Sequence, residues 1–264
     1  MITIVCSITK PEQFLYRLGR SLISQKTDYV LRLTDPALPL AVSYNTVKRI
    51  KTEYIMFVHQ DVWFNPLFLQ QIEEHANKIS DFGVGGVIGW KKGGRSVGGL
   101  WRTKAYFKDY KGEVLEKVRG KGIIPYKTKL RGRLCNKTEE VFIIDDMVYL
   151  IKSDIWNKRK FDEKFRFHGV GEDYCLQVIE MGKGVYVLPV TISTIPSGRR
   201  FDNDSYGSIN NAKKMLLDKW GHKYKSFKTC LGTVGRVKLS QREYNDGCPN
   251  IDTKMVELRK RLKR

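Results

Sequence analysis

The chain has 264 residues, of which 41% are hydrophobic and 11% aromatic, and its formal net charge is +20 at pH 7. This length suits one α/β domain with a large core and an appendage, and it leaves little room for two full domains. No unbroken apolar stretch approaches the length of about 18 residues that a transmembrane helix needs, which excludes that class of protein.

The positive charge is concentrated in two segments. Residues 91–137 contain 15 Lys and Arg against 3 Asp and Glu, and residues 200–264 contain 16 against 7. Such a distribution indicates an anionic partner: nucleic acid, a phospholipid surface or a phosphorylated acceptor. The alternative is a lysine-rich surface that only keeps the protein soluble.

The five cysteines are odd in number, scattered and without Cys-x-x-Cys spacing. This argues against a disulfide framework and against a zinc site. Met1 leads directly into a strand-like run, with no pattern of a secretion signal. We therefore expect a cytoplasmic protein, with peripheral contact at a membrane surface through the basic segments as an open alternative.

Strands and helices alternate along the first 90 residues, which predicts a parallel sheet built from strand-helix-strand units. The predicted strands are Ile2–Ile8, Tyr29–Leu33, Tyr54–His59 and Val84–Trp90. The predicted helices run from Pro11 to about Ser24, over Ala41–Ile50, and from Pro66 to about Ile79.

A long excursion follows at residues 91–137, rich in glycine and basic residues and with little periodicity, as is typical of functional loops. Later predictions are a strand over Val141–Ile151, a short helix capped by Ser153, a helix from Gly171 to about Met181, a strand over Gly184–Pro189, and helices over Ile209–Trp220 and Thr253–Leu262. The chain thus divides into an α/β domain, residues 1–200, and a basic, mainly helical C-terminal extension, residues 201–264.

An apolar run at residues 54–58 ends abruptly in His59, Gln60 and Asp61. In open α/β sheets, ligands gather at the carboxyl ends of strands, where a carboxylate can leave the core without being buried unpaired. Asp61 is therefore a candidate ligand of a metal or a substrate.

A second acidic motif lies at residues 167–176, where Gly169 and Gly171 precede Glu172, Asp173 and an apolar-periodic segment. This pattern predicts a loop that leads into a helix. Carboxylates are stabilised in the first turn of a helix, so a capping role is the alternative to a functional one.

Six motifs in this order resemble the family-2-like glycosyltransferases of the GT-A fold, over residues 2–198. They are the opening strand Ile2–Ser7, the Asn-bearing helix Ala41–Asn45, the strand end His59–Asp61 in place of Asp-x-Asp, the segment Ile144–Met147, the turn Phe161–Phe165 and the box Gly171–Asp173. The resemblance implies a Rossmann-like mixed sheet flanked by helices.

The resemblance also implies an activity: metal-dependent, inverting transfer of a hexosyl or pentosyl group from a nucleotide-sugar donor to a glycan, lipid-linked or protein hydroxyl, as in polysaccharide biosynthesis. Mn²⁺ or Mg²⁺ neutralises the leaving diphosphate and needs only one or two protein carboxylates. Asp61 is the expected metal ligand. His59, which replaces the first acid of the motif, is the second candidate and suits Mn²⁺ better than Mg²⁺; a hydrogen-bonded structural role is the alternative for this residue.

By the same resemblance, Asp173 is the expected base that takes the acceptor proton, with Glu172 as the alternative. Asp145, Asp146 and His168 are assigned to the acceptor or the donor sugar; turn capping or packing is the alternative for Asp146 and His168.

The nucleotide is assigned to residues at and near the strand ends: Cys6, Ser7, Ile8, Asp35, Asn45, Gln60 and Asp61. A local hydrogen-bonding role is the alternative for Asn45. Residues 191–198 lack the His that the family commonly carries there, so Ser197 and Arg199 are assigned to the diphosphate.

The rival hypothesis is a nucleic-acid-binding protein on an α/β nucleotide-binding core. Aromatic residues interrupt the basic excursion, and bases stack on such side chains while lysines follow the phosphates; they are Trp101, Tyr106, Phe107 and Tyr110. No recognised nucleic-acid-binding module occurs in the sequence. A non-catalytic relative that binds a glycan or a membrane is the third possibility.

Overall fold

The structure is a computed structural model that describes residues 1–104, 127–194 and 203–235, and the side chains within them except those of residues 101–104, 127–129, 131 and 203–208. The predicted helix Thr253–Leu262 and the predicted phosphate ligands Ser197 and Arg199 lie outside these residues, as do Tyr106, Phe107 and Tyr110 of the basic excursion.

The larger sheet of the described residues has seven strands in the order β2-β1-β3-β11-β5-β12-β9. These strands are β1 (Ile2–Ser7), β2 (Tyr29–Thr34), β3 (Tyr54–Val58), β5 (Phe82–Gly86), β9 (Glu139–Glu140), β11 (Val148–Lys152) and β12 (Gly184–Val187). β1 pairs in parallel with both β2 and β3, whereas β11 enters antiparallel between β3 and β5. The sheet is therefore mixed.

Both faces of this sheet are covered, which explains the continuous apolar run in β3. Ile55 and Phe57 belong to one hydrophobic core, while Tyr54, Met56 and Val58 belong to the core on the opposite face. A strand that is buried on both sides reads as an unbroken hydrophobic segment because successive side chains point to opposite faces.

A second sheet has the order β10-β6-β7-β13-β4, with β8 paired to β7. Its strands are β4 (Val62–Phe64), β6 (Ile88–Trp90), β7 (Ser96–Lys104), β8 (Lys127–Arg131), β10 (Ile143–Ile144) and β13 (Thr191–Thr194). β13 pairs antiparallel with β4, so the strand that follows Asp61 is anchored to a segment about 130 residues later in the chain. A hairpin, β14 (Ser226–Thr229) and β15 (Gly232–Gly235), completes the described strands.

Helices lie between the strands. They are α1 (Pro11–Phe14), which continues through a π-helical turn (Leu15–Gly19) into α2 (Arg20–Ile23), then α3 (Leu40–Asn45), α4 (Phe68–Asn77), α5 (Ser153–Lys158), α6 (Val170–Glu180) and α7 (Asn203–Trp220). None of the described helices has both the length and the apolar character that crossing a bilayer demands. The predicted mixed α/β fold with flanking helices is confirmed.

Several predicted element bounds are wrong. The predicted strand Val84–Trp90 divides at Val87, because the Val87 carbonyl accepts a hydrogen bond from the amide of Gly99 and the following residues join the second sheet. The strand predicted over Val141–Ile151 is likewise interrupted between Ile144 and Val148.

Two further expectations about helices are also wrong. The helix predicted over Ala41–Ile50 ends at Asn45, where the hydroxyl of Thr46 bonds back to the Ser43 carbonyl. Ser153 is not a cap, since Lys152 occupies the N-cap position and the buried Ser153 hydroxyl has no partner among the described residues.

Candidate functional site

The pairing of β3 with β11 brings two acidic segments together. Val58 at the end of β3 lies opposite Val148 at the start of β11, and the amide of His59 donates a hydrogen bond of 3.1 Å to the Met147 carbonyl. The segment after β3, residues 59–61, therefore lies beside the turn that precedes β11, residues 145–147. These two segments are 84 or more positions apart in sequence, so only the sheet topology juxtaposes them.

A cleft of about 140 Å³ opens at the carboxyl ends of β1 and β3. It is lined by residues that follow these strands, by α3 and by the loop before α6: Ser7, Thr9, Lys10, Leu40, Tyr44, His59, Gln60, Asp61 and Phe167. Of the predicted donor and metal ligands, Ser7, His59, Gln60 and Asp61 lie on this cleft. Its position matches the general rule that ligands bind at the carboxyl ends of strands in open α/β sheets.

Asp61 is fixed by the second sheet. Its carboxylate is 8% exposed, and Oδ2 accepts a hydrogen bond of 3.0 Å from the hydroxyl of Thr194 at the end of β13. No other hydrogen bond to Asp61 comes from the described residues. An ionised carboxylate can accept several hydrogen bonds or bind a cation, so capacity remains for a ligand in the cleft.

Gln60 shapes the floor of the cleft. Its Oε1 accepts hydrogen bonds from the amides of Thr9 and Lys10, both 2.9 Å, and its Nε2 donates to the Thr9 hydroxyl. Gln60 thus ties the loop after β1 to the end of β3 and accepts the hydrogen bonds of both amides.

The remaining predicted nucleotide ligands do not line the cleft. Cys6 is fully buried, and burial, followed by the charge of Asp61, raises the pKa of its thiol to about 12. Ile8 packs against the hydrophobic core. Asp35 is exposed and caps the Ala37 amide. The amide group of Asn45 exchanges two hydrogen bonds with the backbone of Phe161, 116 positions later, so its bonds are long-range and not the local ones named as the alternative.

Glu172 occupies a buried acidic pocket. Its side chain is 1% exposed on the first turn of α6, and its Oε1 accepts a hydrogen bond of 3.0 Å from the thiol of Cys230, at the turn of the β14–β15 hairpin. Burial, followed by the negative charge of Asp146, raises the pKa of Glu172 to about 7. A carboxyl group with a pKa near the working pH is suited to general acid-base chemistry.

Glycine occupies the two positions 169 and 171, before Glu172, for different steric reasons. Gly169 caps the helix with a φ of 85°, in the left-handed region that glycine adopts without strain. A Cβ on Gly171 would lie 1.6 Å from the hydroxyl oxygen of Tyr149, whose own hydrogen bond goes to the Ile144 carbonyl. The missing side chain at residue 171 lets α6 approach the side chain of Tyr149, and the adjacent Glu172 lies near Asp145 and Asp146.

Asp173 has a different environment. Its fully buried carboxylate pairs with Lys219 at 2.8 Å and accepts hydrogen bonds from the indole of Trp220 at 2.8 Å and from Gln177 at 2.6 Å. Lys219 also pairs with Asp162 at 2.7 Å. Burial raises the pKa of Asp173, opposed by these partners. The side chain therefore anchors α7 to α6, and its oxygens are already occupied by partners on α6 and α7.

Two of the predicted acceptor residues, Asp145 and Asp146, lie near Glu172, and the third, His168, lies near Asp146. Asp145 is buried and caps the amide of Met147, and the charges of Asp145 and Asp146 both raise the pKa of Glu172. His168 is half-buried; burial lowers its pKa, while Asp146 opposes that change. Of the two aspartates, Asp145 is buried and Asp146 is partly exposed.

The residues present fit a divalent cation only if it is shared with a substrate. Among the described residues, no group of three or more His, Cys, Asp and Glu side chains could hold a metal ion. Mg²⁺ and Mn²⁺ in phosphate-transfer sites take one or two carboxylates and complete their shell with water and phosphate oxygens. Asp61, with His59 beside it on the cleft, meets that smaller requirement.

Sequence reasoning missed several residues of the site: Thr9, Lys10, Leu40, Tyr44, Phe167, Thr194, Tyr149 and Cys230. Thr9 and Lys10 had a usable signal, since polar residues between a strand and a helix-starting proline mark a strand end. Thr194 and Cys230 had none, because long-range strand pairing and hairpin packing bring them to the site.

No protein-family model matches the chain, and no curated protein matches it. Among solved structures, the chain is similar to S. aureus TarS 1-349, with a TM-score of 0.48 and 10% identity over 82% of this chain. It is also similar to that protein in complex with UDP (TM-score 0.46, 12% identity) and with UDP-GlcNAc (TM-score 0.45, 12% identity), each over 82% of this chain. The chain covers 65% of the first of these structures.

Proposed function

We propose that the chain is a GT-A-type glycosyltransferase that moves a sugar from a nucleotide-diphosphate donor to an acceptor hydroxyl. The observation that carries the proposal is the position of Asp61 on a cleft at the strand ends, beside the turn at residues 145–147. The aspartates of this turn lie near Glu172, a buried carboxyl group of raised pKa. Sugar transfer from a diphosphate requires such a division, with one group near the leaving phosphates and another near the acceptor.

The cleft is the proposed donor site. Tyr44, Leu40 and Phe167 supply apolar and aromatic surface, and Phe167 is 47% exposed. Ser7, Thr9 and Lys10 supply polar groups at the end of β1. An apolar wall with a few convergent polar groups is the usual form of a small-molecule site. This combination suits the base and ribose of a nucleotide.

Asp61 and His59 would hold a divalent cation together with the donor diphosphate. When bound, the cation would neutralise the charge that develops on the leaving diphosphate. The chain's own contribution is orientation, since Thr194 fixes one carboxylate oxygen of Asp61.

Glu172 is the proposed base of an inverting reaction, in preference to Asp173. The oxygens of Asp173 are held by Lys219, Trp220 and Gln177, whereas the described residues give Glu172 one side-chain donor, Cys230. Because Glu172 is 1% exposed, the proposed reaction requires a neighbouring group to move aside before an acceptor hydroxyl can contact the carboxylate.

A thermal-shift panel of sugar nucleotides with Mn²⁺ or Mg²⁺ tests the donor site. A ligand that binds only the folded state raises its apparent stability. We expect at least one sugar nucleotide to stabilise the wild type with metal and to lose this effect in Asp61→Ala. The matched control is Asp28→Asn, an exposed carboxylate in the loop before β2. Salt-dependent binding of DNA or RNA, with no response to any sugar nucleotide, would instead support the nucleic-acid-binding hypothesis.

A further inference from the structure

The hairpin of β14 and β15 brings one side chain to the proposed base. Cys230 lies at the turn between these strands and is partly exposed as a residue, but its thiol points to the buried Glu172 and donates its hydrogen to Oε1 at 3.0 Å; burial raises the pKa of this thiol. The other three described cysteines are buried within the domain. The turn itself is held by the hydroxyl of Thr229, which accepts a hydrogen bond from the Leu231 amide at 2.9 Å.

We propose that Cys230 is a positioning residue for Glu172: its thiol orients the carboxylate and favours the ionised form. This inference deepens the proposed function, because it concerns the group assigned as the base. The physical reason is that a hydrogen bond donated to a carboxylate stabilises the charged form over the neutral one.

The groups around Glu172 show why one donor matters. Asp145 and Asp146 face it from the turn before β11, and both disfavour its ionisation. Tyr149 faces it from β11 and Cys175 from its own helix, and burial raises the pKa of both. His168 sits beside Asp146. Lys219, one of the three lysines on α7, pairs with Asp162 and Asp173.

None of the ion pairs among the described residues involves Glu172. The Cys230 thiol is its side-chain donor and, with the backbone amide of Glu172, offsets in part the two neighbouring carboxylates. A sulfhydryl is a weak donor. It stabilises the carboxylate without fully occupying it, so the stronger hydroxyl donor of an acceptor can take its place. The thiol would thus keep the base ionised until the acceptor hydroxyl replaces it.

The test is a ¹³C NMR titration of the full chain labelled at the glutamate carboxyl carbons. The Glu172 resonance is identified by its loss in Glu172→Gln. We expect a midpoint near pH 7 in the wild type, an increase of about half a pH unit in Cys230→Ala, and a return to the wild-type value or below in Cys230→Ser. Thr229→Val serves as the control, because it loosens the same turn and keeps the thiol.

An unchanged or lower midpoint in Cys230→Ala would overturn the proposal. So would an equal increase in Thr229→Val without rescue by Cys230→Ser, since the turn and not the thiol would then set the ionisation. The titration needs no donor or acceptor. If the midpoints move as expected but no sugar nucleotide is turned over, the proposed function fails while the contact between Cys230 and Glu172 stands.

Discussion

The hydroxyl of Tyr149 fills the space that a side chain on residue 171 would need. A Cβ built on Gly171 would lie 1.6 Å from the hydroxyl oxygen and 2.3 Å from the ring carbon that bears it, and Tyr149 is itself buried and bonded to the Ile144 carbonyl. This contact requires a glycine at residue 171, next to Glu172.

Gly171→Ala should therefore destabilise the fold and displace Glu172. Overpacking a buried contact costs about 1–3 kcal/mol, and we expect the upper part of that range because the clash involves a ring. Urea denaturation measures the loss. Gly93→Ala is the control, since a Cβ there would meet nothing within 4 Å. Equal stabilities of the two variants would show that the Tyr149 contact is looser than described.

Asp173→Asn should act on stability more than on chemistry. It removes one of the two carboxylates that pair with Lys219 and weakens the attachment of α7 to α6. Breaking a fully buried pair costs about 3–5 kcal/mol; because the Lys219 side chain is 35% exposed, we expect about 2 kcal/mol.

Denaturation of a double-mutant cycle with Lys219→Met checks this role for Asp173. The double variant should lose less than the sum of the two single losses, since each change removes the same interaction. Strictly additive losses would argue that the pair contributes nothing to stability.

Glu172→Gln should stabilise the protein at alkaline pH. The pKa of Glu172 is raised from 4.5 to about 7 on folding, because the folded protein favours the neutral carboxyl group. Its contribution to the free energy of unfolding is therefore fully present below about pH 4.5 and is lost as pH rises through 7. Glutamine stays neutral throughout. At pH 8 the variant should exceed the wild type by roughly 2–3 kcal/mol, and the difference should shrink towards pH 4.5.

Denaturation midpoints measured from pH 4.5 to pH 8 test that difference. A gap between wild type and Glu172→Gln that stays constant across this range would mean that Glu172 does not titrate with a raised pKa.

His59→Ala should change the choice of metal. Imidazole binds Mn²⁺ better than Mg²⁺, so loss of His59 should weaken the Mn²⁺-dependent stabilisation by a sugar nucleotide more than the Mg²⁺-dependent one. Thermal shifts with each metal measure this, with the exposed His222→Ala as the control. Equal losses with both metals would remove His59 from the proposed metal site.

Much of the fold follows from local patterns. The apolar run of β3, the proline at the start of α1 and the glycines before α6 each predicted the right element. The division of Val84–Trp90 could not be predicted, because Val87 is as apolar as its neighbours and only its bond to Gly99 separates the two sheets.

The sequence predicted that two acidic motifs contribute to the site. It did not predict which role each acidic residue has. Glu172 and Asp173 are adjacent and chemically alike in the sequence. Their environments differ because Lys219 and Trp220 approach one of them and Cys230 the other, from 46 to 58 positions away. Contacts of that range leave no local signal.

The rate of sugar transfer in Glu172→Gln tests the central claim most directly. It should be measured across pH 5 to 9 beside wild type and Asp173→Asn, with a donor from the thermal-shift panel. We predict a wild-type rate that falls below about pH 7, and a loss on the order of 10² or more in Glu172→Gln with donor binding intact. A Glu172→Gln variant that transfers sugar at the wild-type rate would contradict the account.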